Sequence, residues 1–307
     1  MKVCLLAGGT GGAKLAVGFQ RVLDPGSLSV ITNTGDDIDV WGLYVSPDTD
    51  AVLYRLAGIF NEATGWGIEG DTFAVLDMLR RYGEQGWFAL GDRDLAMHIL
   101  RTSMLGAGRR LTESAVELAR RLGVEPRIYP MLDDPVRTQL DTDLGRFSLQ
   151  EYFVRERTGP RVVGIEFEGL ERARPSPEAK QAVEEADLVV IGPSNPLISI
   201  APILSLVGRG LEREKTIVVT PIIEGRSLKG PTVEMLASMG RDPSPEGVAR
   251  LYRHLAGWFV LDSRDAHLGV AVQRLGYSLV VCDTLMDSTD AAQRVAASIL
   301  DAATVRA

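Results

Sequence analysis

The chain has 307 residues, of which 45% are hydrophobic, and a formal net charge of −8. This length and apolar content can bury the core of one large α/β domain, and the negative charge argues against nucleic acid or an anionic membrane as the main partner. Cys4 and Cys282 lie in apolar, strand-like runs, so we expect buried thiols and not a disulfide or a metal site. No secretory leader or membrane-length apolar run is present, and we expect a cytoplasmic protein.

The first predicted unit is a strand, a glycine-rich turn and a helix. The apolar run 3–7 leads into Gly8-Gly9-Thr10-Gly11-Gly12, and helical spacing continues from Ala13 through Lys14. Four glycines in five residues exceed what a tight turn needs. Their backbone N–H groups and the helix N-terminus can hold a phosphate, and we expect several of them at positive φ.

The turn matches neither of two common phosphate motifs. A P-loop places Gly before its lysine and Ser or Thr after it, but Lys14 is flanked by Ala13 and Leu15. The dinucleotide fingerprint needs a third small residue where this chain has Lys14. The turn therefore predicts a phosphate site on a Rossmann-like sheet and nothing more specific.

The middle of the chain lacks a regular alternation of strands and helices. After a strand at 28–32 and a weaker one at 41–45, the predicted helices are 47–60, 71–82, 92–105, 112–122 and 147–157, and the predicted strands are 127–131, 138–142 and 162–167. We interpret 61–175 as a mixed insertion covering the ligand cleft, between core segments 1–60 and 176–307 of a single α/β domain.

The strand–helix alternation returns after Ser176. Strands are predicted at 188–191, 216–220, 258–261 and 278–282, and helices at 177–186, 198–207, 233–239, 246–254, 264–275 and from 289. Short apolar strands separated by helices predict a Rossmann-like, doubly wound, mostly parallel sheet.

Ligands of such sheets bind beyond the carboxyl ends of the strands. Polar residues follow the predicted strands at six places: the glycine turn, Asn33-Thr34-Gly35-Asp36-Asp37, Thr220, Asp262, Asp283 and the rigid turn Gly192-Pro193-Ser194-Asn195-Pro196. The last could be a plain connector, but its hydroxyl and amide groups between apolar flanks favour a nucleotide contact. We expect these segments to converge on one site.

The segment between Arg21 and Arg55 contains no Lys or Arg and carries six aspartates: Asp24, Asp36, Asp37, Asp39, Asp48 and Asp50. Beside a phosphate, each like-charge pair at ~4 Å costs roughly 4 kcal/mol at an effective dielectric near 20. Either a divalent cation bridges carboxylates and phosphate, or the aspartates bind something else. Oxygen ligands without His or Cys favour Mg²⁺ over Zn²⁺.

Several of these charged residues also have plain structural explanations. Ser46-Pro47-Asp48 is a typical helix start and suffices to explain Asp48, whereas Asp50 is not needed for capping and favours a functional role. Asp36 and Asp37 could be ordinary turn residues. Asp92 could cap its own helix, and Arg93 could be a solvated ion pair or an anion clamp. His98 and Arg101 share a helix face, and a packed histidine is the default reading.

Taken together, these motifs resemble the 2-phospho-L-lactate transferase family of coenzyme F420 biosynthesis. The matching segments cover nearly the whole chain: Gly8–Leu15, Asn33–Asp37, Ser46–Asp50, Trp66–Glu69, Asp71–Phe73, Leu90–Asp94, Met131–Val136, Gly192–Pro196 and Asp283–Met286.

The resemblance implies a transferase that moves a phospho-three-carbon-acid unit from its GDP-activated form to the ribityl hydroxyl of the deazaflavin Fo, releasing GMP, with Mg²⁺. The donor acid is 2-phospholactate, phosphoenolpyruvate or 3-phosphoglycerate. It also implies Asp50 and Arg93 at the Fo site, and we expect Asp50 to hold Mg²⁺. The expected nucleotide-binding residues are Gly9, Thr10, Gly11, Gly12, Lys14, Asn33, Asp36, Asp37, Gly192, Ser194 and Asn195. A homodimer is a further expectation from the family.

Two other classes remain open from the sequence. A non-catalytic regulator that binds a nucleotide-sugar could use the same fold, but would need neither the segment 91–94 nor a wide aromatic cleft. A nicotinamide dehydrogenase is disfavoured by Lys14 and the acidic surroundings.

Overall fold

The computed structural model describes residues 1–304, which fold around a seven-stranded parallel sheet. The strands are β1 (Val3–Ala7), β2 (Leu28–Thr32), β3 (Ile38–Val40), β4 (Leu43–Val45), β5 (Arg127–Pro130), β6 (Arg137–Thr142), β7 (Gly145–Ser148), β8 (Val162–Glu168), β9 (Leu188–Ile191), β10 (Thr216–Val219), β11 (Ile222–Ile223), β12 (Arg226–Ser227), β13 (Trp258–Asp262) and β14 (Ser278–Cys282). The α-helices are α1 (Gly9–Val22), α2 (Pro47–Leu56), α3 (Ala74–Arg81), α4 (Asp92–Gly106), α5 (Leu111–Arg121), α6 (Pro177–Glu184), α7 (Ala201–Val207), α8 (Thr232–Ser238), α9 (Pro245–Tyr252), α10 (Gly269–Arg274) and α11 (Thr289–Thr304).

The strand order of the central sheet is β14-β13-β10-β9-β1-β2-β5, and all its pairings are parallel. The chain builds outward from β1 to β2 and β5, then returns to the other side of β1 for β9 and the remaining strands. The order therefore reverses between β1 and β9. This confirms the predicted doubly wound α/β fold, and a crevice at such a reversal is where ligands bind.

The strands of the sheet centre are apolar along their whole length because helices cover both faces. In β1 all five residues are buried, with Leu5 in the core on the α1 side and Leu6 in the core on the opposite face. In a sheet with one face exposed to solvent, apolar and polar residues would instead alternate along each strand. Cys4 is buried as expected, which raises its pKa to about 12, and Cys282 is half-buried; both are free thiols.

The predicted insertion 61–175 is wrong in one respect, since β5 lies in the central sheet beside β2. The rest of that segment consists of α3–α5 and a separate antiparallel sheet ordered β7-β6-β8. The helix predicted at 147–157 is instead β7 followed by one π-helical turn, Glu151–Arg155, because the chain reverses just before Gly145 and pairs with β6.

One further hairpin lies outside the central sheet near the acidic segment. β3 and β4 pair through Trp41 and Gly42, both at positive φ, as a two-residue hairpin turn requires. Only a weak strand at 41–45 was expected there. No helix among residues 1–304 has the length and apolar character to cross a bilayer.

Candidate active site

A cavity of about 840 Å³ opens at the carboxyl ends of the central strands, where the strand order reverses. The glycine turn, the segment after β2, Thr220 and the turn after β9 converge there as expected, whereas Asp262 and Asp283 do not line the cavity. Of the predicted site residues, those that line the cavity are Gly9, Thr10, Gly11, Lys14, Asp36, Asp50, Ser194 and Asn195.

The glycine turn forms one end of the cavity and begins α1. Gly8 is extended, Gly9 is at φ +56°, and the other glycines of the turn are not at positive φ, so the expectation of several such positions is wrong. Gly11 is needed for space instead, since a Cβ there would collide with the carbonyl oxygen of Pro193. Thr10 and Gly11, in the first turn of α1, line the cavity, and the N–H groups of a first turn have no partner within their own helix.

The turn after β9 is bound directly to the glycine turn. Ser194 Oγ accepts a hydrogen bond from Gly8 N at 3.1 Å and donates to Gly8 O at 2.5 Å. Asn195 Oδ1 accepts from the backbone N–H of Leu197 at 2.9 Å and so caps the following π-helical turn. Both residues therefore have structural bonds as well as a place on the cavity wall.

Four predicted nucleotide-binding residues do not line the cavity but support those that do: Gly12, Asn33, Asp37 and Gly192. Gly12 is buried and a Cβ there would strike Ala7, and Gly192 bonds through its N–H to Leu6 O at 3.0 Å. Asn33 Nδ2 donates to Asp48 Oδ2 at 3.0 Å.

Asp36 and Asp48 form an acidic wall beside the glycine turn. Both are buried and both line the cavity. Asp48 bonds to Asn33 and to the backbone of Gly9. Contrary to our expectation, its place at a helix start therefore does not explain this residue fully. Among residues 1–304, Asp36 Oδ1 is buried without a hydrogen-bond partner.

Burial dominates the acid–base properties of this wall. It raises the pKa of Asp48 to about 6, although hydrogen bonds from Asn33 and Gly9 oppose the shift. Burial, followed by the charges of Asp48 and Asp37, raises the pKa of Asp36 well above its ordinary value. The pKa of Asp37 is raised to about 7 by burial, against hydrogen bonds donated by Ser46 and Tyr44. A nearby cation would relieve this accumulated negative charge.

Asp50 belongs to a buried network that the sequence did not reveal. Arg101 donates to both carboxylate oxygens of Asp50, with Nη1 3.0 Å from Oδ2, and the two side chains are 1% and 6% exposed. His98 Nδ1 lies 3.3 Å from Arg101 Nη1, and His98 Nε2 lies 3.1 Å from Asp94 Oδ1. Tyr54 donates to the same oxygen of Asp94 at 2.5 Å.

Partners within this network offset the effect of burial on its charged groups. Burial alone would lower the pKa of Arg101, but the carboxylate of Asp50 outweighs it and raises the pKa. Burial would likewise raise the pKa of Asp94, but His98 and Tyr54 together hold it below the ordinary value. Asp50, Tyr54, Asp94 and His98 all line the cavity, so the network presents a rigid polar surface to a ligand.

Arg93 does not reach the cavity. Its side chain is exposed, and Nη1 donates to Glu69 O at 3.0 Å. Asp92 does not cap its own helix, α4, which was the structural role considered for it. Its carboxylate instead accepts hydrogen bonds from the backbone N–H groups of Ala74 and Val75 at the start of α3, each at 3.0 Å. Asp71 in turn accepts Arg93 N at 2.7 Å and Asp94 N at 3.0 Å. Each of two neighbouring helices is thus capped by a residue of the other segment.

The far wall of the cavity is aromatic and apolar. It is formed by Phe60, Trp66, Trp87, Phe88, Leu90, Leu149, Phe153, Val154 and Leu228. These residues come from the loops before and after α3, from the turn that follows β7, and from the β12–α8 connection. A flat aromatic ligand can pack here while its polar part reaches the glycine turn.

The acidic wall can hold a hard cation only together with a ligand. Within the described range 1–304, no three His, Cys, Asp or Glu side chains are grouped for a metal ion. Mg²⁺ usually takes one or two carboxylates and completes its shell with water and phosphate oxygens. The unpartnered oxygen of Asp36 fits that requirement better than Asp50, whose oxygens both face Arg101.

Comparison with known proteins decides the family. Residues 3–294 match the model of "2-phospho-L-lactate transferase CofD". The chain belongs to the CofD family. It is thereby a member of the transferases of coenzyme F420 biosynthesis, as the sequence motifs predicted.

The CofD relatives align over nearly their full length. The 2-phospho-L-lactate transferase of Methanosarcina acetivorans is 39% identical over 95% of this chain and 96% of its own. The Methanosarcina mazei enzyme is 37% identical over 97% of this chain and 99% of its own. The Methanopyrus kandleri enzyme is 39% identical over 98% of this chain and 97% of its own. A UPF0052-family protein of Bacillus halodurans has the same fold, with a TM-score of 0.62 and 13% identity over 97% of this chain and 98% of its own.

Sequence reasoning missed the residues that act through contacts distant in the chain. Arg101 and Tyr54 hold the network around Asp50, and Lys229 lines the cavity from a loop that carried no motif. Only the helical spacing of His98 and Arg101 signalled a shared face.

Proposed function

We propose that this CofD-family protein transfers a phospho-three-carbon-acid unit from a GDP-linked donor to the ribityl hydroxyl of the deazaflavin Fo, releasing GMP. One observation carries the proposal: a single cavity of about 840 Å³ joins a phosphate-type helix N-terminus to an aromatic wall. A nucleotide diphosphate suits the first and a tricyclic ring suits the second. The nucleotide-sugar-binding regulator weighed above gains no support from a family of transferases.

Transfer of this kind depends mainly on positioning and charge neutralisation. The N–H groups at the start of α1 and the ammonium of Lys14 bind the diphosphate. The carboxylate of Asp50, held by Arg101, orients the acceptor hydroxyl for in-line attack on the outer phosphorus. Arg93 lies outside the cavity, so we assign it to shaping the segment 69–94 and not to contact with the reacting atoms.

Mg²⁺ belongs to the same proposal. Asp36 would hold it, with Asp48 or Asp50 beside it, and when bound it would neutralise charge on the diphosphate oxygens. A homodimer is carried over from the family as a prediction that the mass in solution tests.

The test offers Fo, Mg²⁺ and the GDP derivatives of lactate, enolpyruvate and glycerate to the protein and reads product masses. We expect one phosphodiester product of Fo and an equal amount of GMP. Absence of product with all three donors would contradict the proposal.

The matched variants are Asp50→Asn and Asp24→Asn. Loss of the positioning carboxylate lowers kcat roughly 10²- to 10⁴-fold, whereas Asp24 lies outside the cavity and its change leaves the rate unaltered. Circular dichroism at the assay temperature checks that Asp50→Asn is folded, since Arg101 then lacks its charged partner.

A further inference from the structure

Two lysines line the cavity, and they come from segments far apart in the chain. Lys14 follows the glycine turn on α1, and Lys229 lies in the connection between β12 and α8. The other charged residues of the lining are the acids Asp36, Asp48, Asp50, Asp94 and Asp287. Within residues 1–304, Lys14 and Lys229 are therefore the two Lys or Arg side chains of a lining that also carries five carboxylates.

Neither lysine forms an ion pair with a residue of the described range 1–304. Among residues 1–304, Lys14 has no ion pair or hydrogen bond with another side chain. Lys229 Nζ donates to the backbone oxygen of Gly65 at 2.6 Å, a neutral acceptor. Neighbouring Arg55 is different, since Glu62 pairs with it.

The two lysine charges affect each other. Loss of surrounding water, and then the positive charges of Arg55 and Lys14, lower the pKa of Lys229. The carboxylate of Glu62 opposes this shift, and the positive charge that remains at the cavity wall favours a bound anion.

The backbone is shaped to fix the ammonium of Lys229. Gly65 is at φ +76°, and a Cβ there would lie 2.6 Å from Lys229 Nζ, so a side chain would displace the lysine. This contact joins two loops that are 164 residues apart in the chain. The ammonium is held in place rather than left on a free side chain.

Resting on the proposed function, we propose that Lys229 binds the carboxylate of the three-carbon acid in the GDP-linked donor. Lys14 and the N–H groups of the glycine turn already face the diphosphate on one wall. The donor's remaining charged group is the carboxylate beyond the outer phosphate. Lys229 is the second cation of the lining, and it makes the site selective for an acid over a neutral nucleotide-linked group.

The experiment measures binding by calorimetry for GDP, for GDP-linked lactate and for its carboxamide analogue, with wild type, Lys229→Met and Lys229→Arg. We expect Lys229→Met to bind the acid roughly tenfold or more weakly, as loss of a charge-assisted hydrogen bond implies. GDP and the carboxamide should bind to it as they do to wild type, and Lys229→Arg should retain most of the affinity for the acid.

Two results would overturn the assignment. Unchanged affinity for the acid would remove Lys229 from the site, and an equal loss for GDP would make it a phosphate ligand. The exposed Lys180→Met, whose Nζ lies 3.6 Å from Glu184, is the control for loss of a lysine charge. Because binding is read directly, failure of Lys229 is distinct from failure of the proposed transfer, which the product masses report.

Discussion

Asp50 and Arg101 form an ion pair that is almost fully buried beside the cavity. A buried charge that loses its partner is strongly destabilising, whereas a pair removed together costs less. The carboxylate is therefore held in one orientation by a residue that a ligand does not need to touch. This arrangement makes Arg101 a positioning residue.

A double-mutant cycle tests that coupling. We expect Arg101→Met to lower the free energy of unfolding by about 3–5 kcal/mol, because Asp50 is left charged and unpaired. The double variant Arg101→Met with Asp50→Asn should recover a large part of this loss. The measurement is chemical denaturation followed by circular dichroism, and simple additivity of the two single changes would contradict the coupling.

At the scale of elements, the site depends on two turns packed against each other. The glycine turn before α1 and the turn after β9 touch at Gly11 and Pro193, and Ser194 joins them by two hydrogen bonds to Gly8. The glycines thus serve close packing at least as much as access for a ligand. The reversal of strand order is what brings these two turns side by side.

Replacing Gly11 with Ala should separate these turns. The new methyl group meets the Pro193 carbonyl, and we expect a loss of about 1–3 kcal/mol in stability together with weaker GDP binding. Gly106→Ala is the matched control: it lies in α4 with no atom within 4 Å of its added methyl group, and helix propensity favours Ala there. Thermal unfolding and GDP titration of both variants provide the test, and equal behaviour would refute it.

For the whole molecule, the buried acidic wall links stability to pH and to Mg²⁺. The pKa values of Asp36, Asp37 and Asp48 are raised in the folded state. Their contribution to stability is fully present below about pH 4, the ordinary pKa of an aspartate, and is lost as pH rises through about 6 to 7. A bound cation favours the ionised form and should reverse that loss.

We therefore expect the metal-free protein to lose stability between pH 5 and pH 8, and added Mg²⁺ to raise its Tm more at pH 8 than at pH 5. Asp36→Asn should reduce both effects, since it removes the carboxylate whose buried Oδ1 has no hydrogen-bond partner within residues 1–304. Differential scanning calorimetry of the two proteins, with Mg²⁺ or EDTA, measures this. A Mg²⁺ response that is independent of pH and of Asp36 would argue against a cation at this wall.

Much of the architecture followed from local pattern. Continuous apolar runs such as 188–191 predicted buried parallel strands, and Ser-Pro-Asp at 46–48 predicted a helix start, because strand burial and helix initiation depend on residues close in the chain. The glycine turn, the acidic segment and the turn after β9 were likewise visible, and their meeting followed from the rule for doubly wound sheets.

The tertiary structure alone decided which charges find partners. It pairs Asp50 with Arg101, leaves Asp36 Oδ1 unpartnered within residues 1–304, exchanges the caps Asp71 and Asp92 between two helices, turns Arg93 away from the cavity and brings Lys229 to its wall. A sequence determines the neighbours of a residue along the chain, but an ion pair depends on distance through space. For residues dozens of positions apart, that distance exists only once the sheet and its connections have formed.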